Sequence, residues 1–110
     1  MASGRWDFNF TVISNTCSYY DPVGTVIPFS YGILESGTSN GYIRDGENAG
    51  LYDQLGQYLT AVKLRWPTLS GSYVNRYGDS ATLTLTFLSA TRAIADFTIQ
   101  GSCSAYATDR

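Results

Sequence analysis

Apolar and polar side chains alternate along several segments of the chain. In residues 6–13 one face carries the apolar side chains Trp6, Phe8, Phe10 and Val12, and the other face carries polar ones. A period of two, built from aromatic and β-branched residues, predicts a half-buried strand. The same alternation predicts strands over residues 70–75, 81–88 and 93–99, joined by tight turns. The last third of the chain is therefore predicted to be an antiparallel meander.

The middle of the chain is less regular. Val26 to Leu34 is apolar enough for a strand, and Pro28 within it predicts an edge strand or a bulge. Between residues 51 and 66 the apolar residues fit both a helical stripe and a strand, while Gly56 weakens a helix. We predict at most a short helical turn or a loop near residues 48–55, followed by a strand over 57–66.

These segments amount to seven or eight short strands with little helix. The fold class predicted is all-β, a single antiparallel β-sandwich or small β-barrel that forms one domain over residues 1–110. The local pattern leaves the choice between sandwich and barrel open.

Gly4-Arg5-Trp6, directly before the first predicted strand, resembles the G-x-W motif of the lipocalins. In that family the tryptophan closes the bottom of a β-barrel against an arginine late in the sequence. The resemblance implies that Arg110 is the matching arginine. It covers three residues, and the long helix near the lipocalin C-terminus has no counterpart in this sequence.

The two cysteines, Cys17 and Cys103, bracket most of the chain and are either two buried thiols or one disulfide. Their spacing excludes CxxC redox and zinc-ribbon patterns. We predict a disulfide that clamps the first and last strands together. Disulfides persist in oxidising compartments, so the expected location is secreted, periplasmic or extracellular. Because Met1-Ala2-Ser3-Gly4 lacks the features of a signal peptide, we presume that one was removed.

The amino-acid composition argues against most kinds of catalytic and metal-binding site. There is no histidine, which excludes Ser–His and Cys–His nucleophiles and histidine metal sites. Charged residues make up 15% of the chain, below the roughly 25% of typical soluble domains, and the net charge is −2. We therefore expect no cofactor and no nucleic-acid partner, and no apolar run is long enough for a membrane span.

Aromatic residues are in surplus, with nine tyrosines among them. Tyrosines in loops beside Asn and Asp offer ring stacking together with directional hydrogen bonds. The predicted ligand-binding patch is Tyr42, Asp45, Glu47, Asn48 and Tyr52, with Tyr19 and Tyr20 as a second one. Asp45, Glu47 and Asn48 are also a weak calcium candidate, because they supply oxygen ligands without EF-hand spacing.

Two functions fit these features. The first is a secreted, non-catalytic module that recognises a glycan or an extracellular protein through tyrosine-bearing loops. The alternative is a small β-barrel with an internal cavity that binds an apolar small molecule, or acts on one as a cyclase or isomerase without histidine. Small inward residues such as Ala81, Ala93 and Ala95 favour the alternative, because they leave room inside a barrel.

Overall fold

Eight β-strands make up the fold in the computed structural model, which describes residues 4–35, 48–53, 58–65, 68–89 and 91–110. The strands are β1 (Gly4–Asn15), β2 (Val26–Glu35), β3 (Asn48–Asp53), β4 (Tyr58–Arg65), β5 (Thr68–Val74), β6 (Ser80–Phe87), β7 (Ala93–Gln100) and β8 (Ser104–Asp109). The predicted all-β class is thus confirmed. Within the described residues there is no helix of the length and hydropathy that a bilayer-spanning segment needs.

The strands form a closed antiparallel barrel in which each strand pairs with the next and β8 pairs with β1. The closing ladder runs from Thr11 opposite Thr108 to Asn15 opposite Ala105, with an irregularity between Val12 and Ser14. Of the two architectures left open by the sequence, the barrel is the one formed. Closure leaves neither β1 nor β8 as a free edge along this ladder.

The barrel interior is filled by the residues that the alternation placed on the inward faces. In β6 the buried positions alternate strictly with threonines that face outward. The largest buried cluster combines aromatic, aliphatic and alanine side chains: Phe8, Phe10, Val12, Tyr31, Leu69, Leu83, Leu85, Phe87, Ala95 and Ala107. The predictions for β1, β6 and β7 are confirmed by this core.

The prediction of at most a short helical turn or a loop near residues 48–55 is wrong for residues 48–53, while residues 54 and 55 lie outside the described residues. Residues 48–53 form β3, which pairs with β2 on one side and with β4 on the other. Ladder hydrogen bonds to two neighbours outweigh the weak helical periodicity of this segment. The strand β8 had no prediction of its own, because its inward residues Ala105 and Ala107 are too small to give a strong apolar signal.

Pro28 lies in a half of β2 that has only one described neighbour. It stands opposite Asn9 of β1, whereas the pairing of β2 with β3 begins only at Tyr31. A proline, which has no N–H to donate, is tolerated where no ladder bond is required of it. Within the described residues Pro28 therefore pairs with β1 alone, in a strand whose other half is paired on both sides.

Candidate functional site

A cavity of about 210 Å³ lies inside the barrel, at the end where the β1–β2 loop (residues 16–25) crosses it. This end, which also carries the β5–β6 and β7–β8 turns, is called the disulfide end below. The described residues that line the cavity are Phe10, Tyr20, Asp21, Ile27, Phe29, Tyr31, Tyr73 and Phe97. Six of these eight are aromatic, and only Asp21 has a side chain that is charged at neutral pH.

Strand alternation accounts for most of the lining. Ile27, Phe29 and Tyr31 are successive inward residues of β2, and Phe10 stands opposite Ile27 in the neighbouring β1. The first two belong to the half of β2 that β3 does not cover. The cavity therefore forms where large aromatic rings, rather than close-packed aliphatic side chains, fill the barrel.

The β1–β2 loop brings Tyr20 and Asp21 over the cavity. The Asn15 side chain donates hydrogen bonds to the backbone oxygens of both residues, at 3.2 Å and 2.9 Å. Its side-chain oxygen accepts a bond from the Cys17 backbone N–H at 2.6 Å. The Tyr20 ring packs against Phe97 with their centroids 5.9 Å apart. One asparagine side chain thus fixes the backbone of the two loop residues that line the cavity.

The Cys17–Cys103 disulfide holds this loop to the β7–β8 turn, and the predicted bridge is confirmed. The two cysteines lie in connections that follow β1 and precede β8, so the bridge joins loops rather than the strands themselves. Thr16 and Ser104 add three hydrogen bonds beside it. The backbone N–H and the hydroxyl of Thr16 both donate to the Ser104 carbonyl, and the Ser104 N–H donates to the Thr16 hydroxyl.

A buried carboxylate supports the same end of the barrel. Asp79 is 2% exposed, and it accepts hydrogen bonds from the Tyr19 hydroxyl at 2.6 Å and from the Ser102 N–H at 2.7 Å. A Cβ at Gly101 would lie 2.2 Å from the Asp79 carboxylate, so the turn needs a glycine for this approach. The Cys103 sulfur lies 3.6 Å from the Tyr19 hydroxyl oxygen, which places this network against the disulfide.

The hydrogen bond from Tyr19, followed by those from Ser102, lowers the pKa of Asp79 below the ordinary value of an aspartate. A carboxyl with a lowered folded-state pKa contributes stability above its unfolded pKa and loses it as pH falls through the folded value. We expect Asp79→Asn to destabilise the protein clearly at about pH 7, by an amount that shrinks as the pH falls through the folded-state pKa of Asp79. Urea unfolding over a series of decreasing pH values measures the difference. The exposed Asp7→Asn is the control for the loss of one carboxylate charge, and an Asp79→Asn effect that does not change with pH would contradict the expectation.

The two loop tyrosines of the predicted second patch have different surroundings. Tyr20 lines the cavity, whereas Tyr19 stacks on Tyr77 with ring centroids 3.9 Å apart and points its hydroxyl at Asp79. Burial, and then the bond to Asp79, raises the pKa of Tyr19. Tyr19 is therefore part of the support of the loop, and the structure does not bring the two tyrosines into one binding surface.

Only two residues of the main predicted ligand-binding patch, Asn48 and Tyr52, are among the described residues. Tyr42, Asp45 and Glu47 lie outside the described residues, and so does most of the calcium candidate. Asn48 and Tyr52 belong to β3, which begins at the barrel end opposite the β1–β2 loop. Among the described residues no group of three acidic, cysteine or histidine side chains is arranged to hold a metal ion.

No family model, curated protein or solved structure matches this chain.

A second depression, of about 220 Å³, lies at the end of the barrel opposite the disulfide. Trp6 and Arg110 both line it, and the Trp6 ring packs edge-on against Phe87 at 5.0 Å. Arg110 is also paired with Asp96 on the outer surface at 3.3 Å. This depression carries acidic and basic side chains together, so its charge favours no class of ligand.

The cavity at the disulfide end was not predicted in detail. The sequence singled out Tyr20 as a loop tyrosine and placed Phe10 on the apolar face of the first predicted strand. The available signal was the combination of small inward residues on β6–β8 with large aromatic rings on β1 and β2. This difference in side-chain size indicates unfilled space inside the barrel, but it does not show where that space lies.

Proposed function

We propose that this protein is a secreted, non-catalytic binding protein that holds a small, largely apolar molecule in the cavity at the disulfide end of its barrel. The observation that carries the proposal is the aromatic lining of that cavity beneath a loop fixed by the Asn15 hydrogen bonds and the disulfide. Preformed, mostly apolar concavities with a few polar groups are the usual form of small-molecule sites.

The size of the cavity limits the ligand. Its volume of about 210 Å³ is below the roughly 300–1,000 Å³ of sites for drug-sized molecules. It exceeds the ~150 Å³ apolar cavity that accepts benzene in another protein. A ligand with one aromatic ring and a few further heavy atoms matches this space. The disulfide also supports secretion, because such bridges persist in oxidising compartments.

Binding of para-tert-butylphenol tests the proposal. Isothermal titration calorimetry of the wild-type protein is expected to give a dissociation constant of about 1 mM or below, the strength expected for a ligand this small. Ile27→Trp places a bulky ring in the cavity and is expected to weaken binding at least tenfold. Val26→Trp is the matched control, because Val26 is 56% exposed on the outer face of the same strand, and it should bind as the wild type does.

Two further measurements make the outcome decisive. Circular dichroism and thermal unfolding establish that both tryptophan variants retain the fold. Two-dimensional NMR of the wild type, which needs no variant, is expected to show ligand-induced shifts at Tyr20, Asp21 and Phe97. No binding by the wild type, or equal binding by both tryptophan variants in folded form, would refute the proposed function.

A further inference from the structure

The cavity at the disulfide end has a charge character as well as an apolar one. Its lining contains the six rings of Phe10, Tyr20, Phe29, Tyr31, Tyr73 and Phe97. The face of an aromatic ring carries a partial negative charge, and several rings around one space attract a cation, most strongly where water is excluded. A lining of this kind therefore distinguishes a cation from an uncharged molecule of the same shape.

Asp21, the one charged side chain in the described lining of the cavity, is negative, like the faces of the aromatic rings. Asp21 is exposed at the mouth of the cavity, and the described lining contains no lysine or arginine. Among the described residues, no hydrogen bond or ion pair to the Asp21 carboxylate is formed, while its backbone oxygen is held by Asn15. The carboxylate is thus positioned through its backbone, and its charge is not neutralised by a described neighbour.

The Asp21 charge also acts on the neighbouring Tyr20. The pKa of Tyr20 is raised to about 12, chiefly by burial and to a smaller extent by the negative charge of Asp21 and by Tyr73. A site that resists the formation of a phenolate also resists an anionic ligand. A positively charged group at the same place is stabilised by the carboxylate and by the phenol oxygens.

From these observations we propose that the ligand of this cavity is a small organic cation, an alkylated ammonium with an apolar body, whose charge lies among the rings beside Asp21. The inference rests on the proposed binding function and specifies its ligand class. The inference predicts that the cavity binds a cation more tightly than an uncharged molecule of the same shape. An apolar cavity alone gives no such preference.

A pair of isosteric ligands tests the inference. The para-hydroxyphenyltrimethylammonium ion has the shape of para-tert-butylphenol, with a charged nitrogen in place of the quaternary carbon. At mildly acidic pH, where both phenols are protonated, calorimetry is expected to show the cation binding about tenfold more tightly. Added salt should weaken the binding of the cation and leave that of the uncharged phenol unchanged.

Asp21→Asn isolates the carboxylate. We expect it to reduce the affinity for the cation about tenfold and to leave the affinity for para-tert-butylphenol unchanged. Asp7→Asn is the matched control, because it removes the same charge from an aspartate whose side chain is 70% exposed near the opposite end of the barrel. Its affinity for both ligands should equal that of the wild type.

The outcomes separate the two proposals. If para-tert-butylphenol binds in the cavity but the cation binds no more tightly, the cation inference is wrong and the binding function stands. If neither molecule binds the wild-type protein, both are wrong. An equal loss of cation binding in Asp21→Asn and Asp7→Asn would mean that net charge, and not the site, provides the attraction, and this too would overturn the inference.

Discussion

Replacing both cysteines, Cys17→Ser with Cys103→Ser, is expected to lower the free energy of unfolding by about 4–5 kcal/mol. The bridge joins residues separated by 86 positions, and the chain-entropy model assigns roughly this stabilisation to a loop of that length. The cysteines also connect the β1–β2 loop to the β7–β8 turn, so their loss frees the loop that carries Tyr20 and Asp21. Ligand affinity should therefore fall together with stability.

Urea unfolding of the oxidised wild type, the reduced wild type and the double-serine variant measures this effect. The reduced wild type and the variant should agree, because both lack the bridge. Ser18→Ala is the local control, since Ser18 is an exposed neighbour of Cys17 in the same loop. A loss below about 1 kcal/mol in the double variant would show that the barrel does not depend on the bridge.

Leu85→Ala is the second substitution with a large expected effect. Leu85 is 0% exposed in the core cluster, so truncation removes buried apolar surface and leaves a cavity among neighbours that relax only partly. Such changes cost about 2–5 kcal/mol. Leu88→Ala, three residues along the same hairpin, is the matched control, because Leu88 is 55% exposed.

Thermal and urea unfolding of the two leucine variants test the burial of Leu85 in the core. The Leu88 variant should remain within about 0.5 kcal/mol of the wild type. Equal destabilisation by both substitutions would contradict the burial of Leu85 and the exposure of Leu88.

The strands with strong alternation were predictable because their signal is local. In β6, threonines alternate with large apolar residues, and only one orientation of the strand buries all of these apolar side chains in the barrel. The segment of β3 was not predictable in the same way, since its strand character depends on partners in β2 and β4. The choice of a barrel over a sandwich depends on the pairing of β1 with β8, whose residues are nearly a whole chain apart.

The candidate site was less predictable than the fold. Phe10, Ile27 and Phe97 have the same residue types as the packed core, and only their three-dimensional arrangement leaves a space between them. Asp21 lies in an Asp-Pro pair that is typical of a turn. Its place over the cavity follows from the Asn15 hydrogen bonds and the disulfide, both of which are tertiary features. Tyr20 was singled out as a loop aromatic, but its inward direction has no local signal.

The pairing of β1 with β8 has a consequence for biosynthesis. All other ladders join strands that follow one another, so they can form as the chain emerges, whereas this one needs residues 11–15 and 105–108 together. Contacts between such distant residues carry a high loop-closure entropy and form slowly. Until they form, one side of β1 exposes unpaired N–H and C=O groups that other chains can bind. Until β8 has been synthesised, this side of β1 therefore stays open to association with other chains.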